Sequence, residues 1–255
     1  MQQEQREAMP VRTAGLGKAF GLAPAAVGGV VLLLPAGEET SGRRPSPLTA
    51  SVLRPLARRL ARAGRHDGLV THIVHYRYRG WNGAQADLAQ DAAWAADEVV
   101  RRYGDVPICL AGYDMGARAA LRAGGHPAVN CVLALSPWLP EDDVAAVPEP
   151  VKQLAGRPVL IVHGTDDRRT DPELSFRLAN RAKKVDRDVC RFEVHSDGHS
   201  LAQHRAEVAA LAVDFTMGSL FGHPYARPLQ DALAAPPPLG LRMPLAVGFG
   251  RSLDQ

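Results

Sequence analysis

The sequence predicts an α/β fold: one domain over residues 27–225, with a mainly parallel sheet of about six strands and helices on both faces. Short apolar runs alternate with segments of helical period. Several runs are nearly continuous in Val, Ile and Leu, as expected for strands that helices cover on both sides. The chain has 255 residues, and α/β folds of about 200 to 250 residues commonly form one domain. Residues 1–26 are expected to be an N-terminal lead-in, and residues 226–255 a tail containing Pro and Gly.

The apolar runs place the six strands at residues 29–34, 69–76, 106–111, 131–135, 159–163 and 189–194. Helices are expected at 47–63, 85–103, 115–123, 172–183 and 201–217. In the first of these helices Val52, Leu56 and Leu60 share one face, and the others show the same period. Right-handed crossovers then make the strands parallel. The tail is expected to be irregular or to form a strap across the surface.

Composition describes a soluble globular chain. Lys and Arg number 30 against 27 Asp and Glu, a net charge of +3, which gives weak support for a nucleic-acid or membrane partner. The longest apolar stretch, 27–34, is far shorter than the roughly 20 residues that span a bilayer. Three distant cysteines in apolar runs indicate reduced thiols and a cytoplasmic location. No cofactor or metal is expected. A homodimer is compatible with the sequence, which does not define the oligomeric state.

The segments that follow the strands carry the candidate chemistry, because ligand sites in open α/β sheets lie at the carboxyl ends of the strands. The third strand runs through residues 112–116 (GYDMG) directly into a helix. Glycines on both sides of Asp114 allow the sharp turn that would hold this residue at its tip. The fifth strand is followed by HGTDD at 163–167, and the sixth by DGH at 197–199.

These segments resemble, in the same chain order, the nucleophile elbow, the acid segment and the histidine segment of the α/β-hydrolase superfamily. The resemblance covers roughly residues 27–217. It implies a catalytic triad of Asp114, His199 and Asp167. The loop Pro35-Ala36-Gly37 resembles the loop that supplies one amide of the oxyanion hole. The resemblance therefore implies an oxyanion hole formed by the N–H groups of Met115 and Gly37.

Three features depart from most members of that superfamily. The elbow residue is Asp rather than Ser, as in haloalkane dehalogenases, haloacetate dehalogenases and epoxide hydrolases. The usual His-Gly of the oxyanion loop is Pro35-Ala36. Those relatives with Asp insert a large helical cap after the strand that ends here at 136–138, where this chain has only residues 139–158 before the next strand. We therefore expect no cap domain and an architecture similar to the compact dienelactone hydrolases.

The chemistry of an aspartate at the elbow favours attack on saturated carbon. Aspartate is ionised at neutral pH and needs no base in order to attack. Attack on an ester carbonyl would give a mixed anhydride more reactive than the substrate, and the intermediate would expel the carboxylate rather than the poorer alkoxide leaving group. Attack on an epoxide or alkyl halide instead gives an ordinary ester on Asp114. His199, oriented by Asp167, can then deprotonate the water that hydrolyses this ester. The sequence therefore predicts a small-molecule hydrolase of the epoxide or halide type.

Several residues after strand ends are candidates for substrate binding. Opening an epoxide needs an acid for the leaving group, and the aromatic candidates are Tyr113, Tyr78, Trp81 and Trp138. Each can equally be a wall or core aromatic. Glu38 is expected to line the pocket. Arg118 could clamp a substrate carboxylate, although a structural ion pair is the favoured interpretation.

Other interpretations of the same residues stay open. Asp114 could cap the following helix. It could also act as a general base in an esterase-like or non-hydrolytic tailoring enzyme, or belong to a ligand-binding or scaffold relative without catalysis. Asp166 competes with Asp167 for the acid role, and the spacing of the motif favours Asp167. A metal site on His195, His199 and His204 is disfavoured, because no carboxylate or cysteine pattern accompanies them.

Overall fold

Eight strands form one sheet in the computed structural model, which describes residues 12–21, 27–140 and 148–250. In chain order they are β1 (Gly15–Leu16), β2 (Gly29–Leu34), β3 (Leu69–His75), β4 (Ile108–Tyr113), β5 (Val129–Leu135), β6 (Val159–Gly164), β7 (Val189–Val194) and β8 (Met243–Pro244). The order across the sheet is β1-β3-β2-β4-β5-β6-β7-β8, and all neighbours are parallel except β1, which is antiparallel to β3. The mainly parallel sheet is confirmed: β2 to β7 are the six expected strands, and two short strands extend its edges.

Helices cover both faces of this sheet. They are α1 (Pro47–Ser51), α2 (Arg54–Ala63), α3 (Asp87–Tyr103), α4 (Met115–Ala123), α5 (Pro172–Val185), α6 (Arg205–Phe221) and α7 (Arg227–Ala234). Buried side chains of α3, α4 and α5 form one apolar layer, and those of α2, α6 and α7 form the other. Along β2, Leu32 and Leu34 enter the first layer while Val31 and Leu33 enter the second. A strand buried on both faces requires this unbroken apolar run.

Proline explains the two clearest boundary corrections. The single helix expected at 47–63 is wrong, because the structure has α1 and α2 with a break at residues 52–53. Pro55 has no N–H, and its ring would clash with the carbonyl of Ser51 in a continuous helix. The third long strand starts at Ile108 rather than at 106, directly after Pro107, and it continues to Tyr113. Gly112 and Tyr113 therefore belong to the sheet, and the turn is confined to Asp114.

The remaining boundaries shift by a few residues. The second long helix begins at Asp87 rather than at 85, and α6 spans Arg205–Phe221 rather than 201–217. The strand expected at 131–135 begins earlier, at Val129. Element ends depend on caps and local hydrogen bonds, which hydrophobic periodicity does not encode.

The segment after residue 226, expected to be irregular or a strap, contains α7, a 3₁₀ turn at Leu239–Leu241 and β8. Helix α7 buries Leu229 and Ala232 against the sheet. The Lys183 ammonium donates hydrogen bonds to three carbonyls: that of Val189 (2.7 Å) at the start of β7, and those of Ala232 (3.3 Å) and Leu233 (3.0 Å) near the end of α7. The domain boundaries at 27 and 225 stay a prediction.

The connection between β5 and β6 is short. Its described residues, 136–140 and 148–158, contain one 3₁₀ turn at Lys152–Leu154 and no longer helix. Within the described ranges, no helix has both the length and the apolar character needed to cross a bilayer. The carboxyl ends of β2, β4, β6 and β7 therefore meet at one edge of the sheet without a helical cap from the described connection.

Candidate active site

Asp114 lies at the tip of a tight turn between β4 and α4. Its φ of 58° and ψ of −123° are a conformation that costs a residue with a side chain about 1–3 kcal/mol. The flanking backbone is too close for side chains: a Cβ on Gly112 would lie 2.1 Å from the Gly116 carbonyl oxygen, and one on Gly116 would lie 2.1 Å from the Leu34 oxygen. The two glycines allow the turn that presents Asp114.

The Asp114 carboxylate does not cap helix α4, so that interpretation is wrong. Its Oδ2 accepts a hydrogen bond from Arg169 Nη2 at 3.3 Å. Its Oδ1 lies 3.3 Å from His199 Nε2. This pair is not aligned for a hydrogen bond, and both atoms are buried without another partner among the described residues. One carboxylate oxygen is thus held, and the other faces the imidazole.

His199 joins the two aspartates. Its Nδ1 lies 2.8 Å from Asp167 Oδ2, so the tautomer with a proton on Nδ1 donates to that oxygen. Burial opposes the charged imidazole, but the nearby Asp114 carboxylate and the hydrogen-bonded Asp167 carboxylate raise the pKa of His199 to about 9. The imidazole is therefore protonated at neutral pH.

Asp167, not Asp166, occupies the acid position. Its Oδ1 accepts hydrogen bonds from the backbone N–H groups of Arg169 (2.8 Å) and Thr170 (3.2 Å), and its Oδ2 faces His199. Burial opposes the charge, but these bonds and the neighbouring histidines hold the pKa of Asp167 well below its usual range. Asp166 is exposed. Asp167 therefore stays ionised and fixes the orientation of the imidazole.

A second, fully buried histidine supports the acid, and the sequence had assigned it no role. His163 Nε2 lies 3.0 Å from the same oxygen, Asp167 Oδ2, and His163 Nδ1 lies 2.9 Å from Ser175 Oγ. Burial lowers the pKa of His163, which favours the neutral ring. Arg191 Nε donates to Ser175 Oγ at 2.9 Å. The motif at 163–167 could have pointed to His163, whereas no local pattern marks Ser175 or Arg191.

Arg169 is the other residue that the sequence analysis missed. Its guanidinium lies beside Asp114, although the side chain is 57% exposed and the Asp114 side chain only 1%. It also lines a cavity of about 390 Å³ with Trp138 and Leu174. Its position two residues after Asp167 was the only sequence signal. Arg169 places a positive charge between the triad and this cavity.

The expected oxyanion loop lies against the start of α4. A Cβ on Gly37 would lie 3.4 Å from the Met115 Cβ, so the two backbones are neighbours. Met115 is the first residue of α4, where a backbone N–H has no acceptor within the helix. An oxyanion hole formed by Met115 and Gly37 stays a prediction.

No protein-family model and no curated protein matches the chain. Solved structures do match it. An α/β serine hydrolase without a lid from Xanthomonas campestris is 15% identical, with a TM-score of 0.55 over 86% of this chain and 100% of that chain. An esterase from Pyrococcus furiosus is 15% identical, with a TM-score of 0.59 over 82% of this chain and 92% of that chain. An α/β serine hydrolase homologue from Coxiella burnetii is 18% identical, with a TM-score of 0.50 over 78% of this chain and 88% of that chain.

The chain has the α/β-hydrolase fold. The predicted fold class, one domain with a mainly parallel sheet and helices on both faces, is confirmed. The described residues of the β5–β6 connection contain no helical cap. At such low identity the likeness concerns the fold alone. The aspartate nucleophile and the resemblance to dehalogenases and epoxide hydrolases stay predictions.

In this α/β-hydrolase fold Arg118 forms a structural ion pair, the interpretation favoured from sequence. Its Nε donates to Glu149 Oε2 at 2.8 Å, and both side chains are largely buried. The guanidinium lies 4.0 Å from the ring centre of Trp81 and 5.4 Å from that of Trp138. Trp81 and Trp138 therefore enclose this ion pair, and Trp138 also borders the cavity beside Arg169.

The other candidate binding residues lie in different surroundings. Tyr113 lies next to the triad, and the centres of the Tyr113 and His199 rings are 5.3 Å apart. The Tyr113 hydroxyl donates to the His199 carbonyl oxygen at 3.3 Å. Burial first, and then the Asp114 charge, raise the pKa of Tyr113 to about 12. Tyr78 is buried, and the Arg12 Cζ lies over its ring, 5.6 Å from the ring centre. Glu38 Oε1 forms an ion pair with Arg79 Nη2 at 3.1 Å.

The histidines considered for a metal have other neighbours. His199 contacts the two aspartates, and His204 Nδ1 lies 3.3 Å from Asp197 Oδ2. In the part of the chain that the structure describes, no three side chains of His, Cys, Asp or Glu cluster as metal ligands.

Proposed function

We propose that the chain is a small-molecule hydrolase in which Asp114, His199 and Asp167 act together. The observation that carries this proposal is the line of contacts from Asp167 Oδ2 through the imidazole to Asp114 Oδ1, at 2.8 Å and 3.3 Å. It lies at the carboxyl edge of the sheet, where ligands of open α/β sheets bind. The similar structures described as an esterase and as serine hydrolases support a hydrolase.

In the first step Asp114 Oδ1 attacks a saturated carbon. The new bond joins this oxygen to carbon, and the bond from carbon to the leaving group breaks, which gives an ester on Asp114. A halide leaves as an anion and needs no proton, whereas an epoxide oxygen requires one. Among the candidate acids, the Tyr113 hydroxyl already donates to a backbone carbonyl. The reaction with a halide therefore needs no proton donor for the leaving group, whereas the reaction with an epoxide does.

The second step needs a neutral His199, and the first step supplies it. Esterification removes the negative charge of Asp114, which is one of the causes that raise the pKa of His199. The pKa of the imidazole then falls, so the ring releases its Nε2 proton to solvent. The neutral Nε2 then accepts a proton from water as the water attacks the ester carbonyl. The N–H groups of Met115 and Gly37 are the proposed donors to the oxyanion. Departure of the product alcohol restores the aspartate.

Transfer of a solvent oxygen tests this mechanism. A single turnover in heavy-oxygen water, with a halide or epoxide that the protein converts, should label the carboxylate of Asp114, and mass spectrometry of the peptide that contains residues 113–115 reads the label. The product should carry an unlabelled enzyme oxygen. Label that appears only in product would show that Asp114 does not attack carbon.

The second candidate is a reaction in which Asp114 acts as a general base, in an esterase-like or non-hydrolytic tailoring enzyme of the same fold. Its support is that the described β5–β6 connection supplies no cap and hence no leaving-group acid. A base mechanism sends the solvent oxygen directly to product, so the same labelling experiment separates the two. A ligand-binding relative without catalysis would turn over no member of a panel of epoxides, halides and aryl esters.

The cellular setting is proposed on chemical grounds. Cys109, Cys131 and Cys190 are buried free thiols, and burial raises the pKa of both Cys131 and Cys190. Such thiols suit a reducing compartment, which supports a cytoplasmic location. We propose a small molecule as the substrate, no resident cofactor, and neither nucleic acid nor membrane as a partner.

A further inference from the structure

A cavity of about 610 Å³ lies at the carboxyl ends of β2 and β3. Pro35 and Tyr76, which directly follow these two strands, line it. The Tyr76 hydroxyl donates to the Pro35 carbonyl oxygen at 3.2 Å. The same oxygen would lie 2.4 Å from a Cβ on Gly116. One wall of the cavity is therefore packed against the turn that carries Asp114.

The charged lining of this cavity is entirely basic. It consists of four arginines, with His75 beside them, and none of the described lining residues is Asp or Glu. One of the arginines, Arg77, is neutralised by carboxylates: its backbone N–H and Nε bond to Asp91, and its Nη2 lies 3.4 Å from Asp87 Oδ1. Arg77 is therefore held in place and contributes little net charge.

The other three arginines have no carboxylate partner among the described residues. Arg12 donates to the Gly42 carbonyl oxygen at 3.0 Å and lies over the Tyr78 ring. Arg44 and Arg54 have neither a hydrogen bond nor an ion pair from their guanidinium groups to any described residue. Guanidinium groups match carboxylate and phosphate oxygens in geometry and charge. Like charges that converge on a concavity without counter-charges favour an anion there.

We propose that this cavity is a binding site for the oxyanion group, phosphate or carboxylate, of a small ligand. Arg44 and Arg54 bind the oxygens, Arg12 adds charge, and Arg77 with its two aspartates forms a fixed wall. The site does not depend on the role of Asp114. If the proposed hydrolysis is correct, the shared wall at Pro35 places the anionic end of a substrate next to the catalytic turn.

Calorimetric titration of the full chain at low salt tests the site with three probes: phenyl phosphate, benzoate and neutral benzyl alcohol. The first two distinguish a phosphate from a carboxylate, and the third measures binding of the ring alone. The test variant is the double substitution Arg44→Gln with Arg54→Gln. The matched control is Arg59→Gln with Arg62→Gln. These substitutions in α2 remove the same amount of charge, and neither residue lines the cavity.

We expect at least one anion to bind more tightly than the alcohol, with a loss of at least about tenfold in the cavity variant, since charge-assisted bonds are lost. The control should stay within about twofold of the unsubstituted chain, because distant surface charges are screened. Equal losses in both variants, or anions that bind no better than the alcohol, would overturn the proposal. Binding needs no turnover, so a chain that binds anions but shows no label on Asp114 refutes only the hydrolytic mechanism.

Discussion

At the scale of the residue, the two oxygens of Asp114 have different surroundings. Oδ2 is held by Arg169, while Oδ1 is buried and faces His199 without an aligned hydrogen bond. A hydrogen bond orients a carboxylate, and an unbonded oxygen keeps its lone pairs for attack. In the proposed mechanism, the strained backbone at Asp114 and the Arg169 contact together leave Oδ1 as the attacking oxygen.

Substitution of Asp114 should change the type of reaction. Asp114→Ser should raise hydrolysis of aryl esters, because it supplies a hydroxyl and removes a charge that raises the pKa of His199, so that the imidazole can act as base. Asp114→Asn should reduce the rate of conversion of an alkyl halide by about 10³-fold or more. Steady-state rates with an aryl ester and with an alkyl halide measure both effects.

Simple aryl esters should be poor substrates for the unsubstituted chain. Efficient hydrolysis of them, with a rate that Asp114→Asn scarcely changes, would contradict the assignment of Asp114. A proton titration of His199 by NMR provides the control, since in Asp114→Asn the pKa of His199 should lie below about 9 if the Asp114 charge contributes to it.

At the scale of the element, Lys183 connects α5 to β7 and α7. Its ammonium is buried and bonds to three carbonyl oxygens, with no carboxylate partner among the described residues. Burial lowers the pKa of Lys183. The carbonyls at the end of α7 have no further amide of that helix to accept from, so the ammonium replaces such donors.

Lys183→Met keeps an unbranched apolar side chain, one atom shorter, and removes the donors. We expect it to lower the free energy of unfolding by about 1–3 kcal/mol, because buried carbonyls lose their partner. The neighbouring exposed Lys184 is a matched control, and Lys184→Met should change stability by less than about 0.5 kcal/mol. Urea denaturation of both variants measures the difference. Equal stability of the two variants would show that the three bonds contribute nothing measurable.

At the scale of the whole molecule, His199 couples stability to pH. Its pKa is about 9 in the folded chain against an ordinary value of 6.5 for histidine, so the folded state binds the proton more tightly than the unfolded state does. The stabilisation of the folded state by protonated His199 is fully present below about pH 6.5 and is lost as the pH rises through about 9. The free energy of unfolding should therefore fall across this window, by about 3 kcal/mol at most.

Urea titrations at about pH 6 and about pH 9.5 measure this effect. The variant His199→Gln should show a smaller decrease between the two pH values, because it has no group that titrates at this position. A decrease of the same size in the variant would assign the effect to other groups.

The sequence by itself determined the class of the fold and the position of the candidate site. Unbroken apolar strands such as β2 encode a sheet covered on both faces, and the glycines on either side of Asp114 encode the sharp turn. Both signals are local, because a strand buried on both faces needs apolar residues throughout and a close backbone approach excludes a Cβ. The order of the segments around Asp114, Asp167 and His199 placed them at one edge of the sheet.

Only the tertiary structure decided what surrounds these residues. Arg169 reaches Asp114, and His163 shares the oxygen of Asp167 with His199, through contacts that depend on the three-dimensional positions of side chains rather than on a repeating pattern. The same holds for the basic cavity, whose arginines come from separate segments of the chain. Hydrophobic period fixes which face of an element is buried, whereas a polar contact depends on distances of a few tenths of an ångström that folding alone sets.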